Sequence, residues 1–453
     1  MAVVPTPPTS QPSPEPGTRA GFFTRRRIRP VLAALLVLLC LLVIAGLGYF
    51  VIYPQVDAAY HWRHAQRAID AYEFQQATAD LGQCLEVWKD SGETHFLMAR
   101  TCRRAGELEG ARAQLQEAKR LHWVQDQIRL EYLLIQAQTL MTPRLQLALR
   151  GYLAGGRTDE TLVLEALANG CLQGNLLKDA YHWTSLWTSR HPDDWHARLW
   201  QGRVFSAARR HKRAAQEYQQ LLDKVPDYLP GHLGLAESLL KTKRFEEALP
   251  HFERVLRVEP PDPHALLGLA HCQRAIGQPE VAQATVERLC DGHPDYVPAL
   301  ALRGQLELES DNPDKALLWF RRAYSLDAND WETNYGLAEA LRMLGKEKEA
   351  RRYARRSQAL DEDQRLLGRL IDEVLTNPDD VSLRREISTT FLRLGNEQEG
   401  LRWLISALLA DPGNQSTRKA LEDAIHGLGD PKLEQGYREV LRKLDKAPTK
   451  DES

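Results

Sequence analysis

Apolar residues recur at steps of three and four along most of the chain after residue 58, the spacing of one face of an α-helix, and strand-like alternation is almost absent. The pattern predicts an all-α fold. It is also periodic on a longer scale. Ala180, Ala214, Ala248, Ala282, Ala316 and Ala350 stand 34 residues apart, and Ala77 and Ala111 keep the same interval upstream. Pro192, Pro226, Pro260 and Pro294 follow at that spacing too, with Ala328 in the next slot. Ala168, Gly202, Ala236, Ala270, Gly304 and Ala338 form a third series in phase with the others. A fixed period of this length means a helical-repeat solenoid, in which each unit buries an apolar face that it cannot cover alone.

Residues 229–262, LPGHLGLAESLLKTKRFEEALPHFERVLRVEPPD, show one whole unit. Small residues at positions 8 and 20 let two antiparallel helices approach closely. Pro260 at position 32 cannot continue the second helix and so forces the turn into the next unit. With Phe252 at position 24, this pattern closely resembles the tetratricopeptide repeat, and it recurs in register over most of residues 58–448. The resemblance implies a right-handed superhelical solenoid of antiparallel helix pairs, about ten units long.

The frame runs without a gap from Ala58 to 125. The unit 126–160 is degenerate: it carries Leu145 where the small residue of the second helix belongs and ends in Gly155-Gly156, which predicts a bend. Regular units fill 161–364. The next proline after the Ala328 slot is Pro378, fifty residues on, and Pro412 follows 34 later, so residues 365–380 are expected to form an odd extra helix. Residues 381–448 then resume with one unit, Gly400 at its small position, and a polar capping hairpin broken by GLGDP, before the tail 449–453.

Ahead of the array, residues 31–53 hold 23 residues without a charge, enough to cross a hydrocarbon core of about 30 Å. Arg25, Arg26, Arg27 and Arg29 flank the N-terminal side of this run, and PQVDAAY follows it. The positive-inside rule then predicts a single-pass membrane helix with residues 1–30, a disordered Pro-rich then Arg-rich tail, in the cytoplasm and the solenoid on the extracytoplasmic side. A cleaved signal would end its apolar core sooner, whereas this one continues through Tyr49, Phe50 and Tyr53. The formal charge of −2 hides an asymmetry: beyond residue 30 the chain has 54 basic and 60 acidic residues, which argues against nucleic acid as a ligand.

Catalytic signatures are missing: there is no GxSxG, Walker loop, HExxH or CxxC. His61 and His64 share a helix face, and His191 and His196 sit on an inter-repeat turn, but neither pair belongs to a larger ligand cluster, so surface roles are expected and no metal. Cys272 and Cys290 fall roughly 10 Å apart along the hairpin axis, beyond disulfide reach, and Cys84 and Cys102 fail by a similar offset. Buried thiols are expected instead.

What remains is surface. In proteins of the resembled family the first helix of each pair lines the concave face, chiefly through positions 2, 5, 9 and 12. Position 5 here reads Trp62, Phe96, Leu130, Glu165, Leu199, Leu233, Leu267, Ala301 and Tyr335, an apolar ladder with one break. Position 9 adds polar rungs, among them Arg100, Arg203, Glu237, His271, Gln305 and Glu339. The expectation is a groove for an extended or helical peptide, with position 5 alternatively packing against the preceding helix. The Lys-and-Asn pair at positions 5 and 9 by which chaperone-binding members hold carboxylates is absent. Trp183, Trp187, Trp195 and Trp200 are the densest aromatic cluster, with Trp187 at a position normally buried and Trp183, Trp195 and Trp200 candidates for a contact hot spot. The reading is a membrane-anchored, non-catalytic scaffold or adaptor for other proteins, with no cofactor. Two alternatives stand beside it: a self-associating assembly factor in envelope biogenesis, and an enzyme with its chemistry in the irregular segments.

Overall fold

The computed structural model describes residues 25–154, 160–258, 261–428 and 431–445; the Gly155-Gly156 bend, Pro260, most of the N-terminal tail and the C-terminal tail lie outside them. No strand occurs among the described residues. The chain divides into two units, Met1–Glu131 and Tyr132–Ser453.

The first unit opens with α1 (Arg25–Leu47), one wide π turn (Gly48–Ile52) and α2 (Tyr53–Asp70), which follow each other without a gap. Residues 33–43 are exposed all round, and a window of this segment has a mean hydropathy of 3.0, so it is long and apolar enough for a membrane span or a signal sequence. The pairs begin with α2 against α3 (Phe74–Val87) and continue with α4 (Gly92–Ala105), α5 (Leu108–Arg120) and α6 (Gln125–Thr139), inside which the unit ends. Ala77 and Ala111 are fully buried, as crossing positions require.

The second unit continues with α7 (Pro143–Ala154), α8 (Glu160–Gln173), α9 (Leu177–Arg190), α10 (Trp195–Ala207), α11 (His211–Lys224), α12 (Leu229–Lys241), α13 (Phe245–Val255), α14 (Pro263–Ala275) and α15 (Pro279–Gly292). After α16 (Val297–Glu309), α17 (Pro313–Leu326) and α18 (Trp331–Met343) comes a helix of 30 residues, α19 (Glu347–Thr376). Then follow α20 (Val381–Arg393), α21 (Glu397–Ala410), α22 (Gln415–His426) and α23 (Pro431–Asp445). Between α8 and α18 consecutive helices pack on each other, and α8·α10, α10·α12, α12·α14, α14·α16 and α16·α18 also touch, so first helices stack on first helices. This is the all-α solenoid that the period predicts.

Two local devices repeat with the array. Each first helix ends on a left-handed residue at position 15 of its unit: Asn175, Arg209, Lys243, Gly277, Asp311 and Gly345 all have φ between 53° and 80°. The next N–H reaches back to a carbonyl five residues earlier, as from Arg210 to Phe205, Arg244 to Leu239 and Gln278 to Gln273, closing the helix end. Aspartate starts several first helices: Asp194, Asp262 and Asp330 accept from backbone N–H groups at 3.0, 2.8 and 2.7 Å.

The core between units is built from a ring set against bare backbone. Tyr218, Phe252 and Phe320 occupy position 24, and each ring faces glycine on neighbouring first helices. A Cβ on Gly268 would stand 2.2 Å from the Phe252 ring, and one on Gly336 would stand 2.1 Å from the Phe320 ring. Gly202 and Gly234 bracket Tyr218 in the same way. The alanines at position 20, from Ala180 to Ala350, are all at most 1% exposed.

One expectation fails. Residues 365–380 do not form a separate helix: α19 runs unbroken from Glu347 to Thr376, because no proline interrupts the sequence between 347 and 376, and Gly368 alone does not end a helix. The added length, at 1.5 Å per residue about 45 Å for the whole helix, carries a second apolar stripe. Leu367, Leu370, Ile371 and Val374 are buried together with Leu383, Ile387 and Trp403 against Leu177 and Ala208, some two hundred residues earlier in the chain. Arg402 Nε donates to the Gln173 carbonyl at 3.0 Å, and Arg384 reaches the Asn175 carbonyl at 3.4 Å. Leu140 packs on the cluster formed by α21, α22 and α23. The C-terminal helices therefore return to cover the hairpin turns of α8–α11. They are not a free polar cap.

Two predictions follow from this packing. Replacing Gly268 or Gly336 by Ala drives a methyl group into an aromatic ring and lowers the urea midpoint by an amount equivalent to about 1–3 kcal/mol. Gly82→Ala, with open space around it, leaves the midpoint unchanged or raises it. Replacing Leu370 and Ile371 by Asp opens the return contact, so amide exchange accelerates at 172–178 and 205–210 and stays slow in α14–α16; uniform acceleration would mean that the contact is not a separable seam.

Candidate interaction groove

The ladder at position 5 is graded and not continuous. Phe96 and Leu199 are 5% and 1% exposed, and Leu130, Glu165 and Ala301 are buried as well. Leu233 and Leu267 are half-buried, and Tyr335 is 49% exposed. The expected groove contacts at Phe96 and Leu199 are therefore core residues. Phe96 is covered within its own unit by Trp123 of the turn after α5, at a ring distance of 6.0 Å. Trp62 lies half-buried, edge-on to Trp88 at 6.2 Å.

The aromatic cluster is likewise mostly interior. Trp183, Trp187 and Trp200 are 3%, 1% and 6% exposed, so Trp183 and Trp200 fill the core and present no contact surface. Trp187 Nε1 donates to Asp194 at 2.9 Å, joining the core to a helix cap. Only Trp195 of the three candidates keeps accessible surface, tilted on Tyr228 at 4.8 Å.

Position 9 remains polar and accessible. Arg203 lies over the Trp200 ring at 4.7 Å, and Glu339 pairs with Arg342. Glu237, Leu267 and His271, expected from three separate rungs, line one cavity of about 300 Å³ together with Lys241, His264 and Phe252. Here α12 and α14 stack as first helices, which brings positions 5 and 9 of adjacent units side by side. At the far end of the array Tyr335 stacks on Trp331 at 5.8 Å.

The cavity is a place of poorly hydrated charge. Desolvation, helped by Asp262, raises the Glu237 carboxyl above its ordinary range against His264 and Lys241. Burial, followed by Arg274 and Lys241, pushes His271 down to about 4, so its ring is neutral at pH 7. Burial also raises Glu332 on α18, which does not line this cavity, with Asp330 adding to it. No ion pair is formed by Glu237 or Glu332 among the described residues. Such a site favours a ligand segment that brings its own hydrogen-bond donors or positive charge to Glu237 and an apolar group to Leu267.

The histidine pairs are structural. His61 and His64 place Nδ1 at 2.7 and 2.6 Å from the two oxygens of buried Asp80, so they are not plain surface residues. His196 pairs with Asp194, and His191 approaches Glu160 at 3.3 Å. The cysteines are unpaired; Cys84, Cys102, Cys171 and Cys272 are buried, and burial pushes the Cys272 thiol up to about 12. Sequence reasoning did not find a further mutual pair, His232 and His251, whose Nδ1 atoms lie 2.8 Å apart while His232 Nε2 meets the Pro226 carbonyl at 2.8 Å. Their spacing of nineteen residues was the one signal, since it links a first to a second helix.

A family model described as tetratricopeptide repeat matches residues 205–249 and 239–306. The fold and these matched units define the class: a tetratricopeptide-repeat solenoid with one apolar helix at its N-terminus. Among curated proteins, the chain is 31% identical over 122 residues to the Protein CTR9 homolog of Arabidopsis thaliana, and 28% over 140 residues to the DnaJ homolog subfamily C member 3 of Rattus norvegicus. These stretches take in 27% and 30% of this chain and span only 11% and 26% of the relatives' length. Among solved structures, PilW, a type IV pilus biogenesis factor, is similar at 18% identity and a TM-score of 0.41, over 45% of this chain and 94% of that one. The APC/C hetero-tetramer Cut9-Hcn1 is similar at 13% identity and a TM-score of 0.34, over 82% and 84%. MamA from Desulfovibrio magneticus RS-1 is similar at 19% identity and a TM-score of 0.36, over 38% and 97%.

The lowered histidine gives a test with a defined sign. With a folded pKa of about 4 and an ordinary value of 6.5, His271 takes up a proton in the unfolded chain first. Its contribution is therefore full above pH about 6.5, falls as pH drops, and is lost by pH about 4. His211, His232 and His251 are also lowered, mainly by burial, and act in the same direction. The urea midpoint should be lower at pH 5 than at pH 7, and His271→Phe should reduce that difference; an unchanged pH profile would show that His271 is solvated.

Proposed function

We propose that the protein is a membrane-anchored, non-catalytic scaffold that holds an extended or helical segment of a partner protein on the concave face of its solenoid. The observation that carries this reading is the cavity shared by Glu237, Leu267 and His271, where an apolar floor and one carboxylate without an ion pair among the described residues lie on adjacent first helices. Tyr335 and Glu339 extend the same face toward the end of the array, with Trp331 stacked beside Tyr335. Arg203 and Leu233 lie on the same face between these sites and the start of the second unit. The tetratricopeptide match supports binding of protein, and the apolar helix supports anchoring through residues 31–53, with the Arg-flanked end in the cytoplasm and the solenoid on the other side. Self-association remains the second use of the same architecture; burial of Trp183 and Trp200 removes the edge on which it would have rested.

Photo-crosslinking residues placed at Leu267 and at Tyr335 should trap the same partner, and one at exposed Leu318 on second helix α17 should not. Glu237→Lys should reduce trapping about tenfold or more at unchanged melting temperature. Equal trapping from all three positions, or a Glu237→Lys variant that binds normally, would overturn the groove assignment. An export-dependent reporter fused after residue 453 should be active; activity of a cytoplasmic reporter at that site would reverse the orientation.

A further inference from the structure

Next to the groove cavity, whose wall already includes His211 and Lys241, two consecutive hairpin turns of the second unit carry ARRHKR at 208–213 and KTKR at 241–244. They hold seven permanent cations in a chain that is otherwise slightly acidic. Arg209, Arg210, His211, Lys212, Arg213 and Thr242 surround one cavity of about 540 Å³, and none of its lining residues is an acid. Lys212 and Thr242 also line a neighbouring cavity of about 700 Å³, whose walls add the Arg244–Glu247 pair and the amides of Gln216, Gln219 and Gln220.

Folding does not require this concentration of charge. Arg210 meets Asp372 of α19 at 3.1 Å, and Arg244 meets Glu247 at 2.5 Å. Among the described residues, Arg209, Lys212, Arg213, Lys241 and Lys243 make no ion pair with an acidic side chain. All five are exposed. Arg213 lies 5.7 Å over the Phe205 ring, which fixes it beside the cavity. The return of α19 needs one cation for one carboxylate, and five more surround that contact. His211, whose pKa is lowered first by burial and then by Lys241 and Arg209, reports the same convergence of positive charge.

We infer that this cavity binds a compact anionic phosphate group. Asp372 shows that an anion is already held at one corner. The planar forks of Arg209 and Arg213 suit phosphate oxygens, which they bind in pairs, while Lys212 on the wall supplies point charge and Lys243, next to Thr242 in sequence, adds to it. An acidic protein segment would need a basic track, but the excess is confined to two turns: the next hairpin turns in the series read IGQPE and SDNPD and carry no cation. The phosphate comes either from a free solute or from the headgroup of an anionic lipid, and both present the same chemistry.

The test uses the full-length chain in zwitterionic nanodiscs, titrated with inorganic tripolyphosphate and, separately, with phosphatidylcholine vesicles made with and without phosphatidylglycerol. Tripolyphosphate should bind, and Arg209→Gln with Lys212→Gln and Arg213→Gln should weaken it about tenfold or more and flatten its salt dependence. A control, Arg351→Gln with Arg352→Gln and Arg355→Gln, removes the same charge from the exposed first half of α19 and should bind like the parent. Both variants are checked for an unchanged melting curve. Binding only to vesicles containing phosphatidylglycerol, lost in the first variant, assigns the site to a headgroup. No binding to either probe, equal loss in the control, or equally tight binding of polyglutamate would overturn the proposal. A first variant that melts early is replaced by Lys212→Gln with Lys243→Gln, which touches no packed ring, and the same outcomes apply.

Discussion

The array depends on an aromatic ring pressed against bare backbone. Tyr218, Phe252 and Phe320 each lie on a second helix and fill the gap left by glycine on the adjoining first helices. Absent side chains bring the helices close, and the ring supplies the dispersion and buried area that hold them. Because the contact joins one unit to the next, it sets the stacking of first helices, and that stacking places positions 5 and 9 of neighbouring units in one cavity. A change at a glycine far from any ligand therefore bears on the groove.

The second constraint is the return of the C-terminal helices. A repeat array has only nearest-neighbour contacts by default, so its stability is close to a sum over units. Here the cluster around Leu370 and Ile371 ties residues 366–403 to Leu177 and Ala208. Buried Arg384, lowered by burial, satisfies carbonyls on both sides of that contact, those of Pro378 and Asn175. The second unit thus has long-range closure that a simple solenoid lacks, and the basic turns at 209–213 and 241–244 lie beside it. An anion bound there would act on Arg210, which already serves the seam through Asp372.

The groove combines charges that are poorly hydrated with few internal partners. Glu237 and Glu332 are raised by desolvation and His271 is lowered by it, so each is held toward its neutral form in the empty cleft. Lys241 opposes the rise at both carboxyls and Arg274 at Glu332, while both cations push His271 further down. A partner that satisfied the carboxylates would restore their charge, coupling recognition to proton release.

The sequence by itself determined the period, the helix pairs, the buried alanines and the apolar N-terminal helix, because these depend on small residues, prolines and apolar faces at fixed spacing along one chain. Their places in the repeat also singled out Glu237, Leu267 and His271, which line one cavity in the structure. Tertiary structure alone decided which rungs stay open: Phe96 and Leu199 share position 5 with Tyr335, but the first two are buried and the third is exposed. The same holds for Trp183 and Trp200, which read as surface candidates by residue type and fill the core by packing. The unbroken α19 was also decided in three dimensions. Its extra sixteen residues are visible as a break in the period, but their apolar stripe has a purpose only because residues two hundred positions earlier come to lie against it.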